Sequence, residues 1–346
     1  MKKGKCKMKV AINGFGRIGR LVFRQMFDNP DVEIVAINDL TTPEMLAYLL
    51  KYDTAQGIYH HINTISHDEN SITVCGKRIP IYVEPDAHNL PWGELGIDLV
   101  MECSGFYASK DKSQAHIEAG AKKVVISSPA KGDLKTIVYG VNHFELTPED
   151  DIVSAASCTT NCLAPMADAL NRAFDVASGI MTTIHAYTGD QVILDAPQRK
   201  GNLRRSRAGA ENIVPSTTGA AEAIGKVIPE LAGKLTGSAQ RVPVPTGSTC
   251  ILTANIKYGG ELNADTLNKI IKVYSETIPD TFGYTEHPIV SSDVMGINYG
   301  SLFDATQTIV KRVDNETYQV QVVAWYDNEM SYTCQMVRTA LYLASL

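Results

Sequence analysis

Hydrophobic and polar positions alternate in blocks along the first half of the chain, and the blocks predict strands and helices in turn. Val10–Ile12 is a short apolar run typical of a strand, and a glycine-rich turn follows it. From Ile18 to Met26 apolar residues recur at helical spacing, which is the stripe of an amphipathic helix. Further predicted segments are a strand over 32–37, a strand over 99–101, a helix over 113–118 and a strand over 124–126. This alternation predicts an α/β fold with a Rossmann-type, doubly wound parallel sheet.

The pattern changes after about residue 151, where longer strand-like alternation replaces the helical spacing. A helix is predicted after Cys158, and Pro165 within it predicts either a kink or a later start. Alternating apolar and polar residues then mark three long strands, over 179–185, 248–258 and 317–325. Because few helices separate them, these strands predict an α+β domain with a mixed or mostly antiparallel sheet.

Length and pattern together indicate two domains. The chain has 346 residues, and about 150 residues per domain is usual. We expect a Rossmann domain over 1–157 and a second domain over 158–330, with a C-terminal helix over about 331–346 that packs back on the first domain. A Gly- and Arg-rich stretch over 188–218 separates the first two long strands. It is longer than most loops, which indicates a functional role.

Composition and charge exclude several classes of protein. Apolar residues make up 44% of the chain and charged residues 20%, which indicates a folded core rather than disorder. The 32 Lys and Arg residues against 38 Asp and Glu leave a net charge of −6, which argues against a broad nucleic-acid surface. No apolar run approaches a membrane span. The lysines of the first nine residues lead into a strand, so we expect a solvated tail rather than a secretory signal.

The cysteines indicate the redox compartment. Their number, seven, is odd, they are spread along the chain, and no two form a C-x-x-C pair. This usage fits free thiols in a reducing cytoplasm better than a disulfide framework. We therefore expect a cytoplasmic protein with no membrane partner and no requirement for nucleic acid.

A glycine-rich motif opens the first predicted helix. Gly14, Gly16 and Gly19 form a G-x-G-x-x-G directly after a strand. In this context the first glycine allows a tight turn, the second lets a pyrophosphate approach the backbone, and the third allows close helix–strand packing. Asp39 follows the second strand about 20 residues further on, where a carboxylate binds ribose hydroxyls and repels a 2′-phosphate. The alternative is that Asp39 is an ordinary loop residue. The combination of strand, glycine motif, helix, second strand and aspartate favours a dinucleotide site, and the aspartate favours NAD over NADP.

A cysteine stands at the start of the helix predicted in the second half. Cys158 is flanked by Ser157, Thr159 and Thr160, whose hydroxyls can cap the helix or donate hydrogen bonds. The helix dipole and the free N–H groups there predict a lowered thiol pKa. Two alternatives stay open, namely a buried, inert cysteine and a metal site shared with Cys162 one turn further on. Further cysteine ligands are absent nearby, so no metal is expected.

A nucleophilic thiolate normally needs a base. His185 stands near the end of a predicted strand, and imidazole suits proton transfer because it titrates near neutral pH. Sequence order alone does not bring His185 to Cys158, so a purely structural histidine is an equal alternative.

Five motifs, in order along essentially the whole chain after the lysine tail, carry a resemblance to a known family. They are 13–19 (NGFGRIG), 157–165 (SCTTNCLAP), 185–188 (HAYT), 215–221 (PSTTGAA) and 325–329 (WYDNE). The chain resembles the phosphorylating glyceraldehyde-3-phosphate dehydrogenases. The resemblance implies a glycolytic oxidoreductase that is a homotetramer of two-domain subunits. NAD would be its cofactor, and glyceraldehyde 3-phosphate and inorganic phosphate its substrates.

The resemblance also implies roles for the matching residues. Cys158 would be the catalytic nucleophile, forming a thiohemiacetal and then a thioester, and His185 would be its base. The cofactor would be bound by Gly14, Gly16, Arg17, Ile18, Asp39, Ser127 and, at the nicotinamide amide, Asn328. The substrate phosphate would be bound by Thr188 and Arg241, and inorganic phosphate by Ser157, Thr159, Thr218 and Gly219.

Several positions depart from the family's pattern. Pro85 stands where an arginine commonly reaches the cofactor, and Ser104 replaces a usual threonine. Asp190 stands where a second phosphate-binding threonine is common. Ala196, in place of a leucine, resembles members that tolerate NADP, whereas Pro197 and the aspartate after the second strand resemble NAD-selective members. We therefore expect a preference for NAD with residual use of NADP.

Two rival functions follow from the same residues. A relative that oxidises erythrose 4-phosphate would share the fold and the cysteine chemistry. An adhesion or interaction protein with an incidental enzyme fold is the other rival, although intact Cys158, His185 and Arg241 argue against it. Three arginines of the long loop either add positive potential for an anionic substrate or lie at a solvated or subunit-contact surface; they are Arg204, Arg205 and Arg207.

Overall fold

The computed structural model describes residues 7–346. Most of the predicted lysine tail, namely Lys2, Lys3 and Lys5, lies outside the described residues, and so does Cys6. The six cysteines within the described part are free thiols, as their spacing predicts. Over the same part of the chain, no helix combines the length and the apolar character needed to cross a membrane.

The described chain divides into two compact units. The first comprises the chain up to Ile137 together with His143–Ala156 and Met336–Leu346. The second comprises Val138–Asn142 and Ser157–Gln335. Most of the last helix of the chain is therefore grouped with the first unit.

The first unit is built on one eight-stranded sheet. Its elements are β1 (Met8–Asn13), α1 (Arg17–Met26), β2 (Val32–Asn38), α2 (Pro43–Lys51), β3 (Ser66–His67), β4 (Ser71–Val74), β5 (Lys77–Tyr82), α3 (Trp92–Leu95), β6 (Leu99–Glu102), α4 (Lys110–Glu118), β7 (Lys123–Ile126) and β8 (Ile152–Ser154). The strand order is β3-β4-β5-β2-β1-β6-β7-β8. The six strands β5-β2-β1-β6-β7-β8, which are adjacent in this order, pair in parallel. At the other edge, β3 pairs antiparallel with β4, and β4 with β5. The predicted Rossmann-type parallel sheet is confirmed.

The chain order of this sheet reverses at β1, which pairs with β2 on one side and with β6 on the other. Val10, Ala11 and Ile12 of β1 are fully buried, as expected for a central parallel strand covered on both faces. In such sheets, nucleotides bind beyond the carboxyl ends of the strands at this reversal point. The glycine motif follows β1 and Asp39 follows β2, so the topology brings both to that edge.

The second unit contains a second sheet and the helix that carries Cys158. Its elements are α5 (Cys158–Ala173), β9 (Asp175–Ala186), β10 (Val214–Ser216), α6 (Ala220–Val227), β11 (Leu235–Val242), β12 (Ser248–Lys257), α7 (Ala264–Thr277), β13 (Phe282–Thr285), β14 (Ser301–Asp304), β15 (Ile309–Arg312), β16 (Thr317–Tyr326) and the first residues of α8 (Met330–Ser345). The strand order is β10-β11-β9-β12-β16-β14-β13, and β15 pairs with β16.

Strand pairing in this second sheet is mixed. β11 pairs in parallel with β9, and β13 with β14, while the other neighbours are antiparallel. The mixed, mostly antiparallel sheet predicted from the long strands is therefore confirmed. Helix α5 begins at Cys158 and continues through Pro165, which excludes the later start. The stretch over 188–218 contains one 3-10 turn, Arg204–Ser206, and the short strand β10.

Candidate active site

Cys158 is the first residue of α5, and the residue before it caps that helix. The backbone of Ser157 is extended, and its Oγ accepts the N–H of Thr160 at 3.0 Å. A serine N-cap is favourable because its oxygen satisfies one of the free N–H groups of the first turn. The predicted capping by a hydroxyl next to the cysteine is thus confirmed for Ser157, and it fixes the turn that carries the thiol.

His185 lies near the end of β9 and faces that thiol. Its Nε2 is 3.4 Å from the Sγ of Cys158, and its Nδ1 is 2.7 Å from the backbone oxygen of Ala186. A carbonyl oxygen only accepts hydrogen bonds, so Nδ1 must carry a proton. In the neutral imidazole, Nε2 is then the unprotonated nitrogen. The structure therefore brings the two predicted catalytic residues together, with a basic nitrogen directed at the sulfur.

Burial shifts both titratable groups towards their uncharged forms. Burial raises the pKa of the Cys158 thiol, although the positive charge of Arg241 and the backbone N–H of Thr159 oppose the rise. Burial also lowers the pKa of His185 to about 3, and the charge of Arg241 adds to this effect. The prediction of a lowered thiol pKa from the helix start is therefore wrong, because desolvation is the largest effect on this thiol. Both shifts favour the uncharged pair, so a thiolate would form by transfer of the thiol proton to Nε2 of His185, which creates two opposite charges that attract each other.

Tyr326, which lies in the motif over 325–329 and has no predicted role, connects the residues around this pair. Its hydroxyl lies 3.0 Å from Oγ1 of Thr159 and 2.8 Å from Oγ1 of Thr183. Thr183 already donates its proton to the backbone oxygen of Thr249 at 3.0 Å, so Tyr326 donates to Thr183 and accepts from Thr159. The Tyr326 ring also packs edge-on against the imidazole of His185, with centroids 5.9 Å apart. Tyr326 thus fixes both the ring and the threonine next to the cysteine.

Arg241 stands beside His185 in the sheet. The two residues are paired in the parallel register of β11 and β9. One terminal nitrogen of Arg241 donates to Oγ1 of Thr188 at 2.8 Å and to the backbone oxygen of Ala186 at 3.2 Å. Its Nε is buried and has no hydrogen-bond partner among the described residues. A guanidinium with an unused donor next to a threonine is suited to an anionic ligand such as phosphate.

Asp190 introduces a negative charge next to this pair. Its carboxylate accepts the hydroxyl of Thr188 and forms an ion pair with Arg205. These contacts, together with the charge of Arg241, hold the pKa of Asp190 below its usual value against the opposing effect of burial. The carboxylate therefore competes with an anion for Thr188 and both arginines. A carboxylate at position 190 therefore disfavours the phosphate contact that a threonine commonly makes there in the family.

Asn328 is held by a chain of hydrogen bonds that starts at the backbone of Ala186, at the end of β9. The N–H of Ala186 donates to Oγ of Ser248 at 3.0 Å, and Oγ of Ser248 donates to Oδ1 of Asn328 at 3.1 Å. Because the amide oxygen of Asn328 accepts from Ser248, its NH₂ group is left to donate to another acceptor. This orientation suits the predicted contact with a nicotinamide carbonyl. Ser248 is a contributor that no sequence motif indicated.

The glycine motif has the geometry that a dinucleotide requires. Gly14 has a φ of +88°, and a Cβ there would lie 2.5 Å from the backbone nitrogen of Ser104. A Cβ at Gly19 would lie 2.1 Å from the oxygen of Gly14, so both positions exclude side chains. A Cβ at Gly16, the residue before α1, meets no atom within 4 Å, and no side chain caps this helix. The open helix N-terminus is thus suited to a pyrophosphate.

Two charged residues near this turn have partners within the chain. One carboxylate oxygen of Asp39 accepts the N–H of Phe15 at 2.7 Å, which fixes the carboxylate at the turn and leaves its second oxygen for ribose hydroxyls. Arg17 forms an ion pair with Asp53. The contacts of Arg17 and Ile18 with the cofactor remain predictions.

The other predicted binding residues lie at the ends of elements. Ser127 directly follows β7, and its N–H donates to the oxygen of Glu102 at 2.9 Å. Thr218 and Gly219 precede α6, and a Cβ at Gly219 would meet nothing within 4 Å. Cys162 is buried, with its Sγ 3.7 Å from the Ser301 hydroxyl. Roles in phosphate binding for Ser157, Thr159, Thr218 and Gly219 remain predictions.

Comparisons with known proteins identify the family. The family model of the glyceraldehyde 3-phosphate dehydrogenase NAD binding domain matches residues 8–110, and that of the C-terminal domain matches residues 157–328. The glyceraldehyde-3-phosphate dehydrogenases of Clostridium acetobutylicum and Clostridium pasteurianum are 55% identical to the chain over 338 residues. That of Streptococcus pyogenes is 55% identical over 340 residues, and each match covers 98% of this chain and 99% of the relative. The cofactor is therefore NAD, and the chain belongs to the glyceraldehyde 3-phosphate dehydrogenase family.

Proposed function

We propose that this chain catalyses the NAD-dependent oxidation and phosphorylation of glyceraldehyde 3-phosphate to 1,3-bisphosphoglycerate in glycolysis. The observation that carries the proposal is the pair formed by Cys158 and His185, whose sulfur and Nε2 are 3.4 Å apart. A nucleophilic sulfur next to an oriented base is what covalent capture of an aldehyde requires. The names of the Clostridium and Streptococcus relatives, which match over nearly their full lengths, support the same reaction.

The proton on this pair accounts for the first two steps. As Sγ of Cys158 attacks the aldehyde carbon, Nε2 of His185 takes the thiol proton and passes it to the carbonyl oxygen, giving a thiohemiacetal. His185 then removes the hydroxyl proton as the hydride leaves, and a thioester on Cys158 results. The hydrogen bond from Nδ1 to the oxygen of Ala186 stabilises the imidazolium formed each time. Backbone N–H groups at the start of α5 are suited to the developing oxyanion.

NAD, when bound, supplies the acceptor for this hydride. The open N-terminus of α1 at Gly16 would hold its pyrophosphate, and Asp39 its ribose hydroxyls. The NH₂ group of Asn328 would hold the nicotinamide amide, since the oxygen of that side chain is already engaged.

Two phosphate groups must be held next to the thioester. For the substrate phosphate we infer Thr188 and Arg241, whose Nε is a buried donor without a described partner. For the inorganic phosphate we infer the backbone and hydroxyl donors at Ser157, Thr159, Thr218 and Gly219. Attack by a phosphate oxygen on the thioester carbon breaks the C–S bond and releases the acyl phosphate. The departing Sγ of Cys158 takes back the proton held by Nε2 of His185, and a proton of the attacking phosphate goes to solvent.

We further infer a homotetramer that works in the cytoplasm. Free cysteines suit a reducing compartment. In the long loop Ile193 is 87% exposed and Leu203 is 85% exposed, and large apolar side chains at this density indicate a contact surface. Size-exclusion chromatography with light scattering tests the tetramer, and Leu203→Asp should weaken the assembly if this loop lies at a subunit contact.

The proposed reaction is tested by NADH formation with and without inorganic phosphate. Sustained turnover of glyceraldehyde 3-phosphate should require phosphate and should be lost in Cys158→Ser. Erythrose 4-phosphate is the comparison substrate. A higher kcat/KM for erythrose 4-phosphate, or turnover that continues unchanged without phosphate, would contradict the proposal.

A further inference from the structure

A cluster of potential metal ligands lies in the first unit, apart from the residues assigned to NAD. Asp28, just beyond α1, contacts two adjacent histidines on a loop. Nε2 of His60 is 2.9 Å from one carboxylate oxygen, and Nε2 of His61 is 2.7 Å from the other. Ligand atoms of all three residues lie within 4.8 Å of one another. Two imidazole nitrogens and a carboxylate group are therefore close enough together to bind one ion.

Aromatic packing holds the two imidazole rings in this arrangement. The rings of His60 and His61 lie against each other with centroids 4.0 Å apart. Tyr59, which is buried, packs edge-on against both, with centroids 4.7 and 5.3 Å away. Phe27 packs against the outer side of His61 at 5.6 Å. Rings fixed by such contacts lose little conformational entropy when their nitrogens bind a ligand.

The far nitrogen of His61 also has a partner. Sγ of Cys75, in the turn between β4 and β5, lies 3.3 Å from Nδ1 of His61. Nδ1 and Nε2 point away from opposite parts of the ring, so this sulfur does not reach a metal bound at Nε2. Because a carboxylate only accepts hydrogen bonds, Nε2 of neutral His61 carries the ring proton in the structure, and Nδ1 accepts from the Cys75 thiol. A metal bound at Nε2 requires the ring proton on Nδ1 instead, where Sγ of Cys75 is placed to accept it. Metal-binding histidines usually donate their other ring N–H to an acceptor.

We propose that Asp28, His60 and His61 form a binding site for a divalent transition metal such as Zn²⁺, with water in the remaining position. Two neutral imidazoles and one carboxylate favour Zn²⁺ and its first-row neighbours over Mg²⁺ or Ca²⁺, which prefer oxygen ligands throughout. His60 is 63% exposed and Asp28 is 50% exposed, so a metal can enter from solvent. The bound metal ties the loop at 60–61 to the end of α1.

The site is tested with Zn²⁺ and Co²⁺ on the full-length chain carrying Cys158→Ser, which removes the thiol of the active site. Zn²⁺ is titrated against a chromophoric chelator, and Co²⁺ is followed by its visible absorption. We expect one saturable site per chain and a rise in Tm with the metal that EDTA reverses. Visible bands without a thiolate-to-cobalt charge-transfer band are expected, because Cys75 lies outside the ligand set.

Variants on exposed side chains separate this site from other histidines. His60→Gln and Asp28→Asn should each weaken binding by about tenfold or more, because each removes a ligand atom. Cys75→Ser should change binding far less, because the serine hydroxyl can still accept a hydrogen bond from Nδ1 of His61. His88→Gln is the matched control. His88 also contacts two carboxylates, of Asp86 and Glu118, but offers a single imidazole. Metal affinity that is unchanged in folded His60→Gln and Asp28→Asn, equal loss in His88→Gln, or no saturable binding would overturn the proposal.

Discussion

At the scale of single residues, the position of one proton decides what the active site can do. The backbone oxygen of Ala186 places a proton on Nδ1 of His185, and this leaves Nε2 free to face Cys158. The residue types were predictable from sequence, because a cysteine at a helix start and a histidine at a strand end suit this chemistry. Their distance was not, because it depends on the packing of α5 against β9. The pKa of the thiol was predicted in the wrong direction, because burial does not appear in a local motif.

Replacing the base should therefore slow the chemistry of the thiol itself. In His185→Asn, Cys158 keeps its raised pKa but loses the proton acceptor 3.4 Å away. We expect alkylation of Cys158 by iodoacetamide at pH 7 to be slower by about tenfold or more. The rate is measured by mass spectrometry of the Cys158 peptide. His67→Asn, an exposed histidine elsewhere, is the control, and equal rates in His185→Asn and the unmodified chain would contradict this role.

Asp190 offers a second test at this scale. Asp190→Asn removes the charge that engages Thr188 and Arg205 but keeps a hydrogen-bond acceptor of the same size. We expect the KM for glyceraldehyde 3-phosphate to fall by about three- to tenfold, because the positive charges of Arg205 and Arg241 are then no longer offset by a nearby carboxylate. The kcat should change little. Asp195→Asn is the matched control, because that carboxylate pairs with Arg207 in the same loop. A KM that rises or stays constant would show that Asp190 does not compete with the substrate.

At the scale of elements, a buried polar network connects α3, α4, β6 and β1, the strand that precedes the glycine turn. Nε1 of Trp92 donates to Nδ1 of His116 at 3.1 Å, and Nε2 of His116 lies 3.0 Å from Glu102. Glu102 also accepts the side-chain amide of Asn13 and the N–H of Ser104. Buried networks of this kind are stable only when every member is satisfied. The hydrogen bonding of the buried Glu102 carboxylate therefore depends on His116 as well as on Asn13 and Ser104.

Breaking this network should destabilise the chain. His116→Leu leaves the Glu102 carboxylate short of a donor, and we expect a cost of about 3 kcal/mol and a Tm lower by several degrees. Trp92→Phe removes only the indole donor and should cost about 1–2 kcal/mol. His88→Leu, on the exposed surface, is the control and should change Tm little. Thermal unfolding followed by circular dichroism measures all three. A Tm for His116→Leu that equals the control would contradict the importance of the network.

The strands that the sequence patterns predicted are those that are buried or long enough to show a clear hydrophobic pattern. β1, β2, β6 and β7 are central and read as apolar runs, while β12 and β16 are long and alternate clearly. The elements that were missed include β3, of two residues, and β8, of three, which are too short for a periodic pattern. Strand β11 was also missed; it holds Arg241 next to His185, and no local signal predicts that it pairs in parallel with β9.

At the scale of the whole molecule, cofactor choice combines signals that stand far apart in the sequence. Asp39 is fixed at the glycine turn by the N–H of Phe15, and a carboxylate there repels a 2′-phosphate. Ala196 and Pro197, in the long loop, gave conflicting indications in the sequence. Because Asp39 is hydrogen-bonded to the glycine turn itself, we expect it to affect cofactor choice more strongly than the loop residues do.

The expected outcome is a preference for NAD with residual NADP use. We predict a kcat/KM for NAD that exceeds that for NADP by about tenfold or more, and a smaller ratio in Asp39→Asn, where the repelling charge is gone. Both values come from initial rates of NADH or NADPH formation. Asp31→Asn, an exposed aspartate one residue before β2, is the control for a general charge effect. Equal values for the two cofactors in the unmodified chain would defeat the prediction.

The central claim, that Cys158 becomes covalently acylated with His185 as its base, is tested most directly by a single turnover without phosphate. The NAD-loaded chain is mixed rapidly with glyceraldehyde 3-phosphate, while NADH is followed by absorbance and the quenched protein by mass spectrometry. We predict a burst of NADH and a matching acyl group on Cys158, both slowed in His185→Asn, with the acyl group released when phosphate is added. Oxidation without a covalent adduct, or an adduct on another cysteine, would contradict the account.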